Sequence, residues 1–329
     1  MYPTITEYKD AIRQSSVTFR TMAALEPVYQ PDGELTFSSG NFAVVFKMRN
    51  TAAGNFKAIK CFTREVEGRR ERQRAIAEYL NGIQSSYLVH FEWLDEELWV
   101  ESDQTEQREF PVVVMDWVEG ETLGALVAHL CRNNQKTELE TLATHFDQMA
   151  KRLLEQPFAH GDLKHDNIII RPDGSLVLVD YDGMFVPSLT GQQALETGSP
   201  AYRHPKRTEQ MFDEYLDDFS MLVVSLSLWT LKEIPDWHSV YNTQENLLIS
   251  PGDLELHSES ALFNDLRNQI NKEELLAREA MLELALALKP GKINGLEAIL
   301  SRSYKITKTY SQSNGNGVQL VTKPNESSA

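Results

Sequence analysis

The reading turns on His160-Gly161-Asp162-Leu163-Lys164-His165-Asp166-Asn167. It sets a lysine two residues after an aspartate and an asparagine five residues after it. Asp180 follows thirteen residues beyond Asn167, at the end of the apolar run Leu176–Val179. Phosphoryl transfer needs such a set. One carboxylate orients the acceptor hydroxyl. An amide oxygen and a second carboxylate hold Mg²⁺ against phosphate oxygens, and a lysine offsets the transferred charge. Each residue type alone is common in turns and caps, so the joint spacing carries the argument. Ile168–Ile170 and Leu176–Val179 read as short strands joined by the turn sequence Arg171-Pro172-Asp173-Gly174-Ser175, which sets the distance from Asn167 to Asp180.

Working outward, the chain upstream is mostly β-rich. Glu34–Ser38, Phe42–Met48, Phe56–Cys61, Tyr87–Trp93, Leu98–Ser102 and Phe110–Met115 read as strands. Glu65–Ile83 is rich in helix formers and ends near Gly82. After Gly120 the pattern turns helical, over Leu123–Cys131, Thr137–Gln156, Leu216–Leu231 and Lys272–Leu288. Residues 1–33 offer one amphipathic helix near Ile5–Arg13, then breakers at Pro27 and Pro31-Asp32-Gly33. The expected fold class is α+β: a small β-rich lobe, then a larger helical lobe, with a cleft between them. The expected divisions are an N-terminal extension (1–33), a first lobe (34–116), a second lobe (117–311) and a polar, disordered tail (312–329).

Composition narrows the classes. The 329 residues carry 32 Lys and Arg against 48 Asp and Glu, a net charge of −16. That disfavours broad binding to nucleic acid or anionic membranes. Residues 91–121 hold eleven acids and one base, whereas Lys57, Lys60, Arg64, Arg69, Arg70, Arg72 and Arg74 outnumber the acids of residues 57–74. Solvated loop and helix faces explain both runs, and a basic rim near a phosphate site would also explain the second. Cys61 and Cys131 are too few for a disulfide framework. The N-terminus lacks a signal-peptide pattern, and the longest apolar stretch, from Met221, is too short to span a bilayer. A cytoplasmic location is expected.

The segment from His160 to Asp180 resembles the catalytic and metal-binding loops of the eukaryotic-type protein kinases, HxDLKxxN followed by Asp-Phe-Gly. The resemblance extends over about residues 34–300 and implies a bilobal protein-kinase-like fold using ATP with Mg²⁺ or Mn²⁺. It implies Asp162 as the catalytic carboxylate, Lys164 as the charge-offsetting lysine, and Asn167 and Asp180 as metal ligands. Ala58-Ile59-Lys60 is similar to the strand presenting the phosphate-pairing lysine, Lys60. Its partner by spacing is Glu78, with Glu71 as the rival. Ser38-Ser39-Gly40-Asn41-Phe42-Ala43-Val44-Val45 is similar to the glycine-rich loop, reduced to Gly40. Val45 and Ala58 would cover adenine from above and Ile169 from below. Val112–Gly120 resembles the hinge, with Met115 as gatekeeper, the backbone of Asp116 to Val118 bonding adenine, and Glu121 or Thr122 near the ribose.

Departures from the family pattern are specific. Asp180-Tyr181-Asp182-Gly183 replaces Asp-Phe-Gly, and Gly161 stands where an arginine often senses loop phosphate. That predicts activity without strict dependence on loop phosphorylation. Gly198–Pro205 resembles the end of the activation segment, where the Ser199 hydroxyl would bridge Asp162 and Lys164. Lys206 replaces the glutamate that follows it. Asp218 matches the helix aspartate that props up the catalytic loop. The implied activity is phosphoryl transfer from ATP to Ser or Thr hydroxyls of a protein, with basic substrates suggested by the acidic surface. The alternatives are a small-molecule kinase of the same fold and an ATP-binding pseudokinase scaffold. Oligomeric state and regulator stay open.

Overall fold

Alternation governs the first half of the chain. In Val44-Val45-Phe46-Lys47-Met48, successive side chains point to opposite faces of a strand. Val44, Phe46 and Met48 are buried, whereas Val45 and Lys47 are half-buried. The computed structural model describes residues 1–40, 42–309 and 317–322, the strands beyond Ser303 by backbone alone. The chain divides into two units, Met1–Glu119 and Gly120–Ala329.

The first unit runs α1 (Ile5–Arg13), α2 (Ser15–Thr18), β1 (Leu25–Pro27), β2 (Phe37–Ser39), β3 (Ala43–Asn50), β4 (Phe56–Phe62), α3 (Arg69–Asn81), β5 (Phe91–Trp99) and β6 (Glu109–Asp116). The antiparallel sheet has the order β1-β3-β4-β6-β5, with β2 paired to β3. Val44, Cys61 and Val112 align across three strands, as do Val45, Lys60 and Val113. One face therefore carries Val44, Phe46, Ile59, Cys61, Val112 and Val114 into the core. The other carries Val45, Ala58, Lys60 and Met115.

Residues 1–33 are not a separate extension. Tyr8, Ile12, Phe19 and Leu25 belong to the same buried cluster as the sheet's core face. α1 starts on a capping box between Thr4 and Glu7, and the Tyr8 hydroxyl donates to the Phe62 carbonyl at 2.7 Å. The buried Glu97 carboxylate accepts from the Thr21 N–H and hydroxyl, both at 2.8 Å, and from the Met22 N–H at 3.1 Å. Beyond α1 the segment shows little period, because Phe19 and Leu25 reach the core from an isolated bridge and a three-residue strand. Two expected strands, Tyr87–Trp93 and Leu98–Ser102, are instead the single β5. A register shift between Leu94 and Leu98, with Glu96 at φ +51°, breaks the alternation midway.

The second unit runs β7 (Glu121–Thr122), α4 (Leu123–Arg132), α5 (Lys136–Leu154), β8 (Ile168–Ile170), β9 (Leu176–Leu178), α6 (Asp218–Glu233), α7 (Trp237–Tyr241), α8 (Pro251–Glu255), α9 (Ala261–Gln269), α10 (Glu273–Ala287), α11 (Leu296–Leu300), β10 (Tyr304–Thr309) and β11 (Gly317–Thr322). α6 is apolar all round and buried from Asp218 to Leu231. α5 and α10 pack against it. Arg278 on α10 donates from Nη2 to Asp147 on α5 at 2.9 Å, and Ser225 and Trp229 of α6 also donate to that carboxylate. Of the expected tail, residues 317–322 pair antiparallel with 304–309. Residues 312–316 and 323–329 lie outside the described residues.

Candidate active site

The first unit gathers the nucleotide-side candidates on one sheet face. Val45 pairs in register with Lys60, and Ala58 with Met115. Lys60, Ala58 and Met115 are 6%, 7% and 6% exposed, so the Lys60 ammonium is held in a largely desolvated place. Gly40 closes the β2–β3 turn, its N–H donating to the Ala43 carbonyl at 2.9 Å, and Asn41 lies outside the described residues. At the end of β6, Asp116 pairs with Lys57 at 2.6 Å, and the Trp117 N–H donates to the Phe56 carbonyl at 3.2 Å. The Val118 N–H has no partner among the described residues, which leaves it available to a ligand acceptor.

Glu78 does not meet Lys60. The buried residues of α3 are Arg69, Arg72, Gln73, Ile76, Ala77 and Leu80, one stripe of the helix. Glu78 and its rival Glu71 are both exposed on the opposite side. Spacing along the sequence does not fix which stripe of a helix is buried, because each residue turns the side chain by about 100°. The buried face of α3 carries no carboxylate.

The second unit assembles the catalytic-loop candidates. β8 and β9 pair Ile168 with Leu178, and the Val179 N–H donates to the Asn167 carbonyl at 3.0 Å. Asn167 and the residue preceding Asp180 are thus neighbours, as the turn sequence predicted. Asp180 is exposed with φ +68°, a left-handed conformation that aspartate tolerates better than most residues. Asn167 Nδ2 donates to the Asp162 carbonyl at 2.9 Å and to Asp162 Oδ2 at 3.3 Å. Asp162 Oδ1 accepts the Ser199 N–H at 2.7 Å, and Lys164 Nζ lies 3.5 Å from Oδ2. Ser199 contributes its backbone rather than the expected hydroxyl. Ile169 is the half-buried centre of β8, paired with Thr122. The Thr122 hydroxyl caps α4 by accepting the Ala125 N–H at 3.2 Å.

The loop is propped by Asp217, not Asp218. Asp217 accepts the His160 N–H at 2.5 Å and the Gly161 N–H at 2.9 Å. Burial pushes its carboxyl up, while His160 and the two backbone donors pull it back. Asp218 turns away and accepts the Ile293 N–H at 2.8 Å. His160 donates from Nε2 to the Val179 carbonyl at 2.9 Å, so the expectation that it packs the loop describes its place. Tyr181 is buried edge-on to His160, its hydroxyl donating to the Leu178 carbonyl at 2.8 Å. Lys206 Nζ donates to the Leu286 carbonyl at 3.1 Å.

A divalent cation fits this half-site chemically. Asn167 has its Nδ2 committed to Asp162, so its Oδ1, which accepts no hydrogen bond among the described residues, is free as an oxygen ligand. Asp180 adds an exposed carboxylate, and the all-oxygen set suits Mg²⁺.

Comparison with known proteins agrees with this architecture. Residues 35–289 match the protein kinase domain family. The chain belongs to that family. It is also 27% identical over 199 residues to a serine/threonine-protein kinase WNK of Caenorhabditis elegans, an alignment covering 58% of this chain and 10% of that protein. The chain therefore corresponds to a small part of that relative's length. Among the described residues no helix is long and apolar enough to cross a membrane.

Proposed function

We propose that the protein transfers the γ-phosphoryl group of ATP to Ser or Thr hydroxyls of a protein substrate. The observation that carries this reading is the binding of Asp162. Its Oδ1 is occupied by the Ser199 N–H, which leaves Oδ2, beside Lys164 and Asn167, to accept the substrate hydroxyl's proton. Lys164 stands close enough to offset charge as it shifts to the transferred phosphoryl group. Mg²⁺, held by Asn167 and Asp180, would neutralise the phosphate oxygens. On the first unit, Lys60 would pair with phosphates, Val45, Ala58 and Met115 would line the adenine site with Gly40 at its turn, and Asp116 to Val118 would offer backbone. Ile169 is the apolar candidate on β8. Positioning and electrostatics then supply the catalysis.

The Ser199 N–H also ties the activation segment to Asp162, which supports a protein substrate over a small metabolite. The missing carboxylate on α3's buried face favours one alternative, a nucleotide-binding scaffold with little transfer. A cytoplasmic location belongs to the same reading. The test is incubation with γ-labelled ATP and generic acceptor proteins beside Asp162→Ala. Label on protein with wild type alone is expected. Equal label in both removes the role of Asp162. Label confined to small metabolites selects the small-molecule kinase. Metal-dependent stabilisation by ATP without label selects the scaffold.

A further inference from the structure

Gly161, the residue before Asp162, is held at both of its backbone polar groups. Its N–H donates to Asp217, and its carbonyl accepts from Arg207 Nη1 at 3.0 Å. Arg207 lies just past the activation segment and is buried at 8% exposure. Its Nε and Nη2 make no hydrogen bond among the described residues. Burial lowers the guanidinium's pKa, and the charges of Asp217 and Asp162 oppose that. A buried guanidinium with one hydrogen bond is costly, and an apolar side chain would fill the space with less desolvation. Packing alone therefore does not account for an arginine here.

The surroundings fit a single purpose. Position 161 cannot carry its own side chain: φ is +82°, and a Cβ would lie 2.0 Å from the Gly183 carbonyl oxygen. Gly198 lets the activation segment approach, since a Cβ there would meet the Gly161 oxygen at 2.9 Å and Arg207 Nη1 at 3.4 Å. We infer that Arg207 is a positioning residue, whose guanidinium fixes the Gly161 carbonyl and with it the peptide plane leading into Asp162. The inference rests on the proposed role of Asp162.

The test uses the full chain with Arg207→Met and Arg207→Lys, read by hydrogen exchange of peptides spanning 158–168 and by kinetics with γ-labelled ATP. In Arg207→Met, exchange at residues 160–163 should rise about tenfold, with α6 and the first unit's sheet unchanged. kcat should fall roughly ten- to a hundredfold, with KM for ATP within about twofold. Arg207→Lys keeps the charge and one donor and should recover part of both effects. Unchanged exchange at 158–168, acceleration spread evenly over the chain, or no rescue by lysine would overturn the inference. Should Arg207→Met fail to fold, Arg207→Lys against Arg207→Gln reads the same peptides and decides the same question. A wild type that transfers no phosphate defeats the functional reading alone, because the exchange comparison still judges Arg207.

Discussion

Asp217 and Asp218 are adjacent in the chain and face different partners, a difference of about 100° around one helix. Asp217 satisfies two buried N–H groups, those of His160 and Gly161. Its replacement by alanine orphans both donors and should cost about 2–4 kcal/mol by urea denaturation. Asp218 is buried beside Asp217, and burial raises its pKa to about 7. The folded protein thus keeps a proton that the unfolded chain has released between about pH 4 and that value. Stability should fall as pH rises through this window and level off above it. Asp218→Asn keeps an acceptor for Ile293 and removes the titration. It should match wild type near pH 4 and exceed it by about 1–3 kcal/mol at pH 8, measured by urea melts at both pH values. Gly161→Ala places a methyl against Gly183 at a left-handed φ. It should destabilise the protein by about 2 kcal/mol or more and abolish label transfer.

Among the elements, α3 and α1 depart most from expectation. A sequence without aligned relatives places a glutamate along α3, but which stripe is buried depends on what the helix packs against. Glu78→Ala should leave label transfer within about twofold of wild type, as an exposed surface change does. A loss of a hundredfold would mean that α3 rotates to bring Glu78 to Lys60 during the reaction. α1 shows the converse. Its amphipathic pattern over Ile5–Arg13 was legible, but its burial under the sheet was not, because no local pattern names a partner surface. Tyr8→Ala empties a fully buried aromatic site and breaks the bond to Phe62. It should cost about 3–5 kcal/mol, read by chemical denaturation. β8, β9 and their turn were readable in full, since a hairpin is specified by residues adjacent in the chain.

Across the whole molecule the net charge is −16, and ion pairs such as those of Arg70 and Arg74 with Asp95 leave that sum unchanged. That acidity motivates a preference for basic acceptor proteins. At low salt a basic acceptor should be labelled several-fold faster than an acidic one, with the difference fading at about 0.5 M salt, where charges are screened beyond roughly 4–5 Å. The sequence by itself determined the α+β class and the succession of a β-rich unit and a helical one, and it nominated Asp162, Lys164, Asn167 and Asp180 as candidates, because short-range spacing and residue chemistry carry these directly. Only the tertiary structure decided that residues 1–33 contribute to the core, that α3 buries Gln73 rather than Glu78, and that Asp217 and Arg207 hydrogen-bond the backbone of His160 and Gly161. Those contacts join residues 46 to 76 positions apart or fix a helix's rotation, and both follow from which surfaces pack together.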